Sequence, residues 1–394
     1  MILTGGFLKI IKEQIKVTSC LRSSSIIYNE TNRQFHSTEK RGSVCTSTLL
    51  ALLSSLMFLD LVFPFHSKKE LPNFCTQAFW ATAITLVSHI EANWAAKSGP
   101  LVNLLNQFLR IERSLLQAGF KCELDGMGSK AKYVCIPFKV TAYICSVLWG
   151  IGSAILPCRP TNMYSFLMPA ILCTSNGFTV EWDHEYLLVP LLKLTYIFRG
   201  TFGIVNGLTF YMVLAPAGLV TAQMIGGVLC IRENIKMATR IAAQKVLCGS
   251  TLGLYRKIQI LTDLYNEIHS GIILHLMVIG CACLSLLTYL NISLGGSLPM
   301  SLGVACWIVD VQGVCCTTGI FRLGSELHYC SQMYLKVLNQ NWILMRNKKW
   351  KRFVRSCPLL MTRIGNMNFI ERNTVLKMGS FCVSRVVDLL LLGN

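Results

Sequence analysis

The stretch GIILHLMVIGCACLSLLTYL, residues 271–290, decides the fold class. It holds no Lys, Arg, Asp or Glu, and a run of about 20 apolar residues is what an α-helix needs to cross a bilayer core. In lipid every backbone N–H and C=O must be bonded within the protein, so the run reads as a helix. Composition agrees. Of 394 residues 53% are hydrophobic and 14% are charged, against about 25% charged in soluble domains. The expectation is an all-α polytopic membrane protein.

Working outward, six further runs read as spans: 43–65, 71–94, 134–156, 196–231, 298–321 and 374–392. His89 and Glu91 weaken the second. The fourth is too long to lie wholly in the bilayer, so part of it tilts or projects.

The segments between the spans alternate in charge. Lys plus Arg number 29 in segments 1–42, 97–133, 232–270 and 322–373, against 5 in 66–70, 157–200 and 291–297. The positive-inside rule assigns the basic set to the cytosol. Seven spans then leave the N-terminus cytosolic and the C-terminus extracellular. This also accounts for the net charge of +18 without a nucleic-acid partner, since no zinc-finger spacing or aromatic–basic stripe accompanies it. A G-protein-coupled receptor has the opposite orientation, and the chain lacks an Asp-Arg-Tyr after its third span and an NPxxY at its last.

The basic segments are patterned. Leu101, Leu104, Leu105, Phe108, Ile111 and Leu115 recur at helical spacing. Leu254, Ile258, Leu261, Tyr265 and Ile268 do the same, as do Leu323, Leu327, Tyr334, Leu338, Trp342 and Met345. Three amphipathic helices on one side of the membrane predict a small cytosolic anchor bundle, continuous with spans four and five. The domain reading is a cytosolic segment 1–42, spans one to six over 43–321 with inner helices 97–133 and 232–270, an anchor segment 322–373 and a final span 374–394. The outer segment 157–195, with Pro157, Pro160 and Pro169, is long enough to serve function and to lid an outward pocket.

Residues 1–20 do not read as a signal peptide, because Lys9, Lys12, Glu13 and Lys16 interrupt the apolar positions. Ile2, Phe7, Ile10, Ile11 and Ile15 make one face of a surface helix. The 18 cysteines include no CxxC pair, so no metal site is expected. Cys158 and Cys173 fall in the outer segment, bridged or free. Of the N-x-[ST] sites, Asn29 falls on the cytosolic side and Asn291 lies close to the membrane. No P-loop, dinucleotide glycine pattern, G-x-S-x-G or H-E-x-x-H is present, so no enzyme, catalytic residue or cofactor is expected. A secondary transporter is the runner-up. No internal repeat supports it, and Gly203, Gly207 and Pro216 in span four are its only hint.

The whole pattern resembles the arthropod chemoreceptor superfamily, the odorant and gustatory receptors. Shared are the length, seven spans with the N-terminus inside, the long outer segment after span three and the extended inner helices. LYRKIQILTDLYNEIHSG, residues 254–271, resembles that family's inner helix before span five, and GSFCVSRVVDLLLLG, residues 379–393, its short final span. Gustatory receptors often end in Thr-Tyr, five residues, then Gln-Phe. Phe381–Cys382 and Asp388–Leu389 stand at those places and do not match. The subfamily stays open.

The resemblance implies a ligand-gated, non-selective cation channel of the plasma membrane, a homo- or hetero-tetramer whose seventh spans line the pore. In span seven Asp388 then makes an acidic ring with Ser384 beside it, or pairs with Arg385, and Val387 and Leu391 make a hydrophobic gate. It also implies a small-molecule pocket within spans two to six. Tyr143, Trp149, Phe202, Phe210 and Tyr211 are candidate walls, with Trp307, Asp310 and Gln312 of span six as polar contacts. Asp310 has a second reading, a buried carboxylate bonded to a neighbouring helix.

Overall fold

The computed structural model describes residues 26–37, 71–117, 140–151, 188–243, 249–294, 300–340, 346–366 and 368–393, with short helical pieces between 15 and 154. Span one is described only at 44–45, 48–52 and 55. Most of 157–195, Cys158 and Cys173, and nearly all of residues 1–20 lie outside the described residues.

The architecture is α-helical with two small hairpins. In chain order the elements are β1 (Ile26–Asn29), β2 (Gln34–Ser37), α1 (Leu71–Ala96) and α2 (Ser98–Gln117). Then come α3 (Val140–Ile151), α4 (Leu188–Ala243), α5 (Gly249–Leu294), α6 (Met300–Gln340), α7 (Lys348–Ser356), β3 (Arg363–Ile364), β4 (Asn368–Phe369) and α8 (Thr374–Gly393). Among the described residues, Gly253–Ser293 and Gly303–Gln340 are long and apolar enough to cross a membrane.

Three helices outrun their spans. α4 has 56 residues, α5 46 and α6 41, so at about 1.5 Å per residue each exceeds a bilayer core of about 30 Å. The surplus is the anchor. Leu101, Leu104, Leu105 and Phe108 of α2 bury against Ile258, Leu261, Tyr265 and Ile268 of α5, Ile231 and Ile235 of α4, and Leu327, Tyr334 and Leu338 of α6. The positions on α2, α5 and α6 are ones the helical periodicity selects, Ile231 and Ile235 of α4 are not, and the amphipathic helices pack on one another. α4 and α5 run unbroken from span to anchor, and so does α6. The 188–195 part of the outer segment is already helical, so α4 starts earlier than its hydropathy indicates.

Two hairpins depart from the all-helical expectation, and each is fixed by side chains. In β1–β2 the Asn29 Oδ1 accepts the N–H groups of Thr31 and Asn32 and so builds the turn. Asn106 of α2 then holds Phe35 by both its N–H and its C=O, at 2.9 and 3.0 Å. In β3–β4, Asn266 of α5 donates to Met361 O and accepts from the Arg363 N–H. Gly365, at φ +58°, turns the chain, and its N–H donates to Ser270 O at 2.9 Å. The turn of the hairpin is thereby fastened to α5 at Ser270, one residue before the apolar run of span five, and α8 follows β4.

Candidate functional site

Above the anchor, α1, α3, α4, α5 and α6 line an open-sided cavity of ≈ 180 Å³. An apolar cavity of about 150 Å³ suffices for a benzene-sized ligand. Its aromatic wall is one cluster. Trp149 of α3 stacks on Phe210 of α4, and Trp80 of α1 meets both edge-on, at 4.6 and 5.4 Å between ring centroids. Phe79 packs on Trp80 at 5.3 Å. The opposite wall is aliphatic, from Leu276, Leu284 and Leu287 of α5 and Ala305 and Val309 of α6. Polar groups are few. Cys283 lines the cavity and donates its thiol to Thr82 Oγ1 at 3.2 Å, while Thr82 donates to the carbonyl of Ala78 or Phe79. Such walls discriminate by shape and dispersion, with the thiols of Cys283 and Cys306 and the hydroxyl of Thr317 as the polar side-chain groups among the aliphatic lining.

The wall depends on a close helix crossing. A Cβ on Gly203 would stand 2.7 Å from the Gly150 carbonyl oxygen, and one on Gly207 2.9 Å from that of Ser146. The backbones of α3 and α4 touch through this small-residue stripe, as in GxxxG crossings. The contact brings Trp149 onto Phe210. It also explains the glycines that hinted at a transporter: α4 is continuous through them and through Pro216.

Of the sequence-selected pocket residues, Trp149 and Phe210 line the cavity. Tyr143 is exposed and pairs with Tyr211 at 5.2 Å on the other side of the α3–α4 crossing. Trp307 is exposed, and the side chain of Phe202 lies outside the described residues. Gln312 is half-buried, with its Oε1 unpaired among the described residues. Asp310, 5% exposed, faces α5: Thr288 Oγ1 lies 3.1 Å from both its carboxylate oxygens and Asn291 Nδ2 donates to Oδ2 at 3.2 Å. It clamps α6 to α5 beside the cavity. Sequence reasoning missed Trp80, Phe79 and Cys283. The Phe-Trp pair at 79–80 in span two was the available signal.

α8 rests on α5 and α6 through one face, with Met378 and Val386 buried and the Ser285 hydroxyl donating to Cys281 O of its own helix at 2.9 Å or to Cys382 O of α8 at 3.5 Å. Its other face is exposed and carries all four sequence-selected pore residues, Ser384, Val387, Asp388 and Leu391. Asp388 is paired with Arg385 at 3.1 Å, half-exposed.

The anchor is tied by charge and by buried rings. Arg232 bridges Glu233 on its own helix and Glu326 on α6. Burial alone would raise the Glu233 carboxyl, but Arg232 and Lys236 outweigh it and hold it below the usual carboxylate range. Tyr255 stacks on Tyr334 at 4.8 Å and donates to Pro358 O at 2.8 Å. At the top of the anchor His269 is fully enclosed. Burial, helped by the Lys97 ammonium, lowers its imidazole to about 3.

The fold, a helical bundle drawn out into a packed anchor and closed by a separate last helix, is shared with two solved structures: the olfactory receptor OR5 of the insect Machilis hrabei in complex with eugenol, and the same receptor without it. The first superposes with a TM-score of 0.68 at 12% identity, over 98% of this chain and 99% of that one. The second gives 0.65 at 11%, with the same coverage. No protein-family profile and no curated protein sequence matches the chain.

Proposed function

We propose that the chain is a chemosensory receptor of the arthropod chemoreceptor superfamily: a multi-pass plasma-membrane protein that opens as a ligand-gated, non-selective cation channel. The observation that carries this reading is the aromatic-walled cavity set within a fold that superposes over nearly its whole length on an insect olfactory receptor. A small apolar ligand enters between Trp80, Trp149 and Phe210 on one side and Leu284 and Val309 on the other. The receptor of the same fold was solved in complex with eugenol, and a small phenol suits these walls: its ring stacks, and its hydroxyl meets Cys283 or Thr317.

Gating follows from the helix contacts. α5 and α6 line the cavity and also carry α8. A ligand that spreads them shifts the population of α8 positions, by as much as its affinity for the two states differs. The exposed face of α8 is the pore face in an assembly of four like or mixed subunits, with Val387 and Leu391 as the apolar constriction and Ser384 and Asp388 beside it. The charge alternation orients the chain with the N-terminus and the anchor in the cytosol.

Two measurements test this. Eugenol titrated into the purified chain quenches Trp80 and Trp149 fluorescence, saturably, with the quench halved in W149F. An unsaturable quench, or one unchanged in W149F and W80F, removes the cavity from the reading. A tag at the N-terminus is reached by antibody only after permeabilisation, and one at residue 394 without it.

A further inference from the structure

The pattern Met-x3-Cys occurs on two helices that touch: MVIGC, residues 277–281 of α5, and MGSFC, residues 378–382 of α8. At a spacing of four, the Met and Cys of each helix share one face. α8 lies along α5 in the same direction, since Cys382 meets Cys281 while Leu389 and Leu390 pack by Tyr289 and Leu290 further on. The two pairs therefore come level. Met277, Cys281 and Met378 line one open-sided cavity of ≈ 540 Å³. Cys382 adjoins it: its thiol donates to the Cys281 carbonyl at 3.8 Å, and the two thiols lie within hydrogen-bond reach of each other. Cys281 and Met378 are buried, Met277 and Cys382 half-buried. Met378 and Cys382 continue with Val386 along the face that α8 turns to α5, not the face that bears Ser384 and Asp388. The carboxylate on the cavity wall, Glu371, stands before α8, seven residues from Met378. Among the described residues no three His, Cys, Asp or Glu side chains converge here or elsewhere.

We propose that these four sulfurs form a binding site for a soft monovalent metal cation, copper(I). Thioether and thiolate donors suit Cu(I), and the site lacks the imidazole, carboxylate or four-thiolate set that Zn(II) takes. The Cys382 thiol, the less buried of the two, releases its proton to solvent in the cavity and binds as thiolate. One proton leaves for each cation that enters, so a site at bilayer depth gains no net charge. The Met277 and Met378 thioethers complete the coordination, and the Cys281 thiol donates to the thiolate sulfur. No electron is transferred. The filled site ties the first half of α8 to α5, so the cation sets how firmly the last helix is held. The proposal needs only the packing of α8 on α5, and it stands whether or not the chain conducts.

The full chain in lipid nanodiscs is loaded with Cu(I) under anaerobic, reducing conditions and titrated with a chromogenic Cu(I) chelator. Expected is one equivalent per chain that resists the chelator, lost in C382A and retained in C315A, whose thiol is exposed on α6. C281A, M277L and M378L keep the equivalent but surrender it at about tenfold lower chelator concentration, the scale on which a metal site loses a supporting partner. Met→Leu conserves volume, so M277L and M378L carry the test if C382A does not fold. X-ray absorption at the copper edge finds sulfur neighbours. The proposal is overturned by an equivalent retained in C382A, by M277L and M378L curves that match the native chain, or by nitrogen or oxygen neighbours at copper. A capacity that falls equally in C315A marks adventitious binding by the other thiols and overturns it too, as does a Cys281–Cys382 disulfide found by peptide mapping of the native chain.

Discussion

Trp149 of α3 lies flat on Phe210 of α4, with ring centroids 5.0 Å apart and planes 7° from parallel. Two helices that share no sequence neighbourhood thus build one side of the cavity, and the contact is set by glycines rather than by the rings. In that sense the cavity wall is a consequence of a backbone crossing.

Replacing Trp149 by alanine removes a stacked pair worth about 0.5–1.5 kcal/mol and opens the wall. The expected result is a ligand dose–response shifted about tenfold to higher concentration, with surface expression retained. F210L shifts it less, since an apolar wall of similar volume remains.

The crossing itself is tested at Gly207. G207V forces a side chain against the Ser146 carbonyl and costs about 1–3 kcal/mol by overpacking. G200A serves as control, because nothing lies within 4 Å of a Cβ there. Thermal melting in detergent, followed by fluorescence size exclusion, is expected to fall for the first and hold for the second.

Asp310 answers α5 through Thr288 and Asn291 rather than facing the cavity. D310A leaves both partners unpaired in a buried site, about 1–3 kcal/mol. The expected outcome is reduced yield and melting temperature, with an unchanged half-maximal ligand concentration in the protein that folds. A shift in ligand sensitivity at unchanged stability would return Asp310 to the pocket.

His269 gives the anchor an acid sensitivity. Its folded imidazole is lowered from 6.5 to about 3, so between these values the unfolded chain binds the extra proton. Stability from this group is complete above about pH 6.5 and falls as pH drops, by about 1.4 kcal/mol per unit, until about pH 3. Unfolding measured from pH 7 to pH 5 is expected to show this slope in the native chain and a shallower one in H269F.

Much of the fold was legible because the anchor helices meet water. Leu101, Leu104 and Phe108 stand out against Asn103 and Arg110 on α2, and the burial follows that contrast. Within the spans the contrast vanishes. Trp80 turns inward and Trp307 outward, yet both sit among apolar neighbours, since lipid accepts what a core accepts. That is why, of the residues selected from the sequence, Trp149 and Phe210 line the cavity and Tyr143 and Trp307 do not. The hairpins were illegible for another reason: strands of two or four residues carry too short a period to read, and β3–β4 is held by hydrogen bonds from Asn266 and Ser270 of α5. The paired charges of α8 were legible as alternatives, and the structure holds Arg385 against Asp388.

The most direct measurement is whole-cell current from cells expressing the chain, alone and with candidate partner subunits, during application of eugenol and related small phenols. The account predicts a ligand-evoked inward current carried by both sodium and potassium. It shrinks in W149A, and its cation selectivity changes in D388N. Surface-expressed chain that binds a ligand at Trp149 but passes no current, or a current that persists when external and internal cations are replaced by an impermeant one, would contradict it.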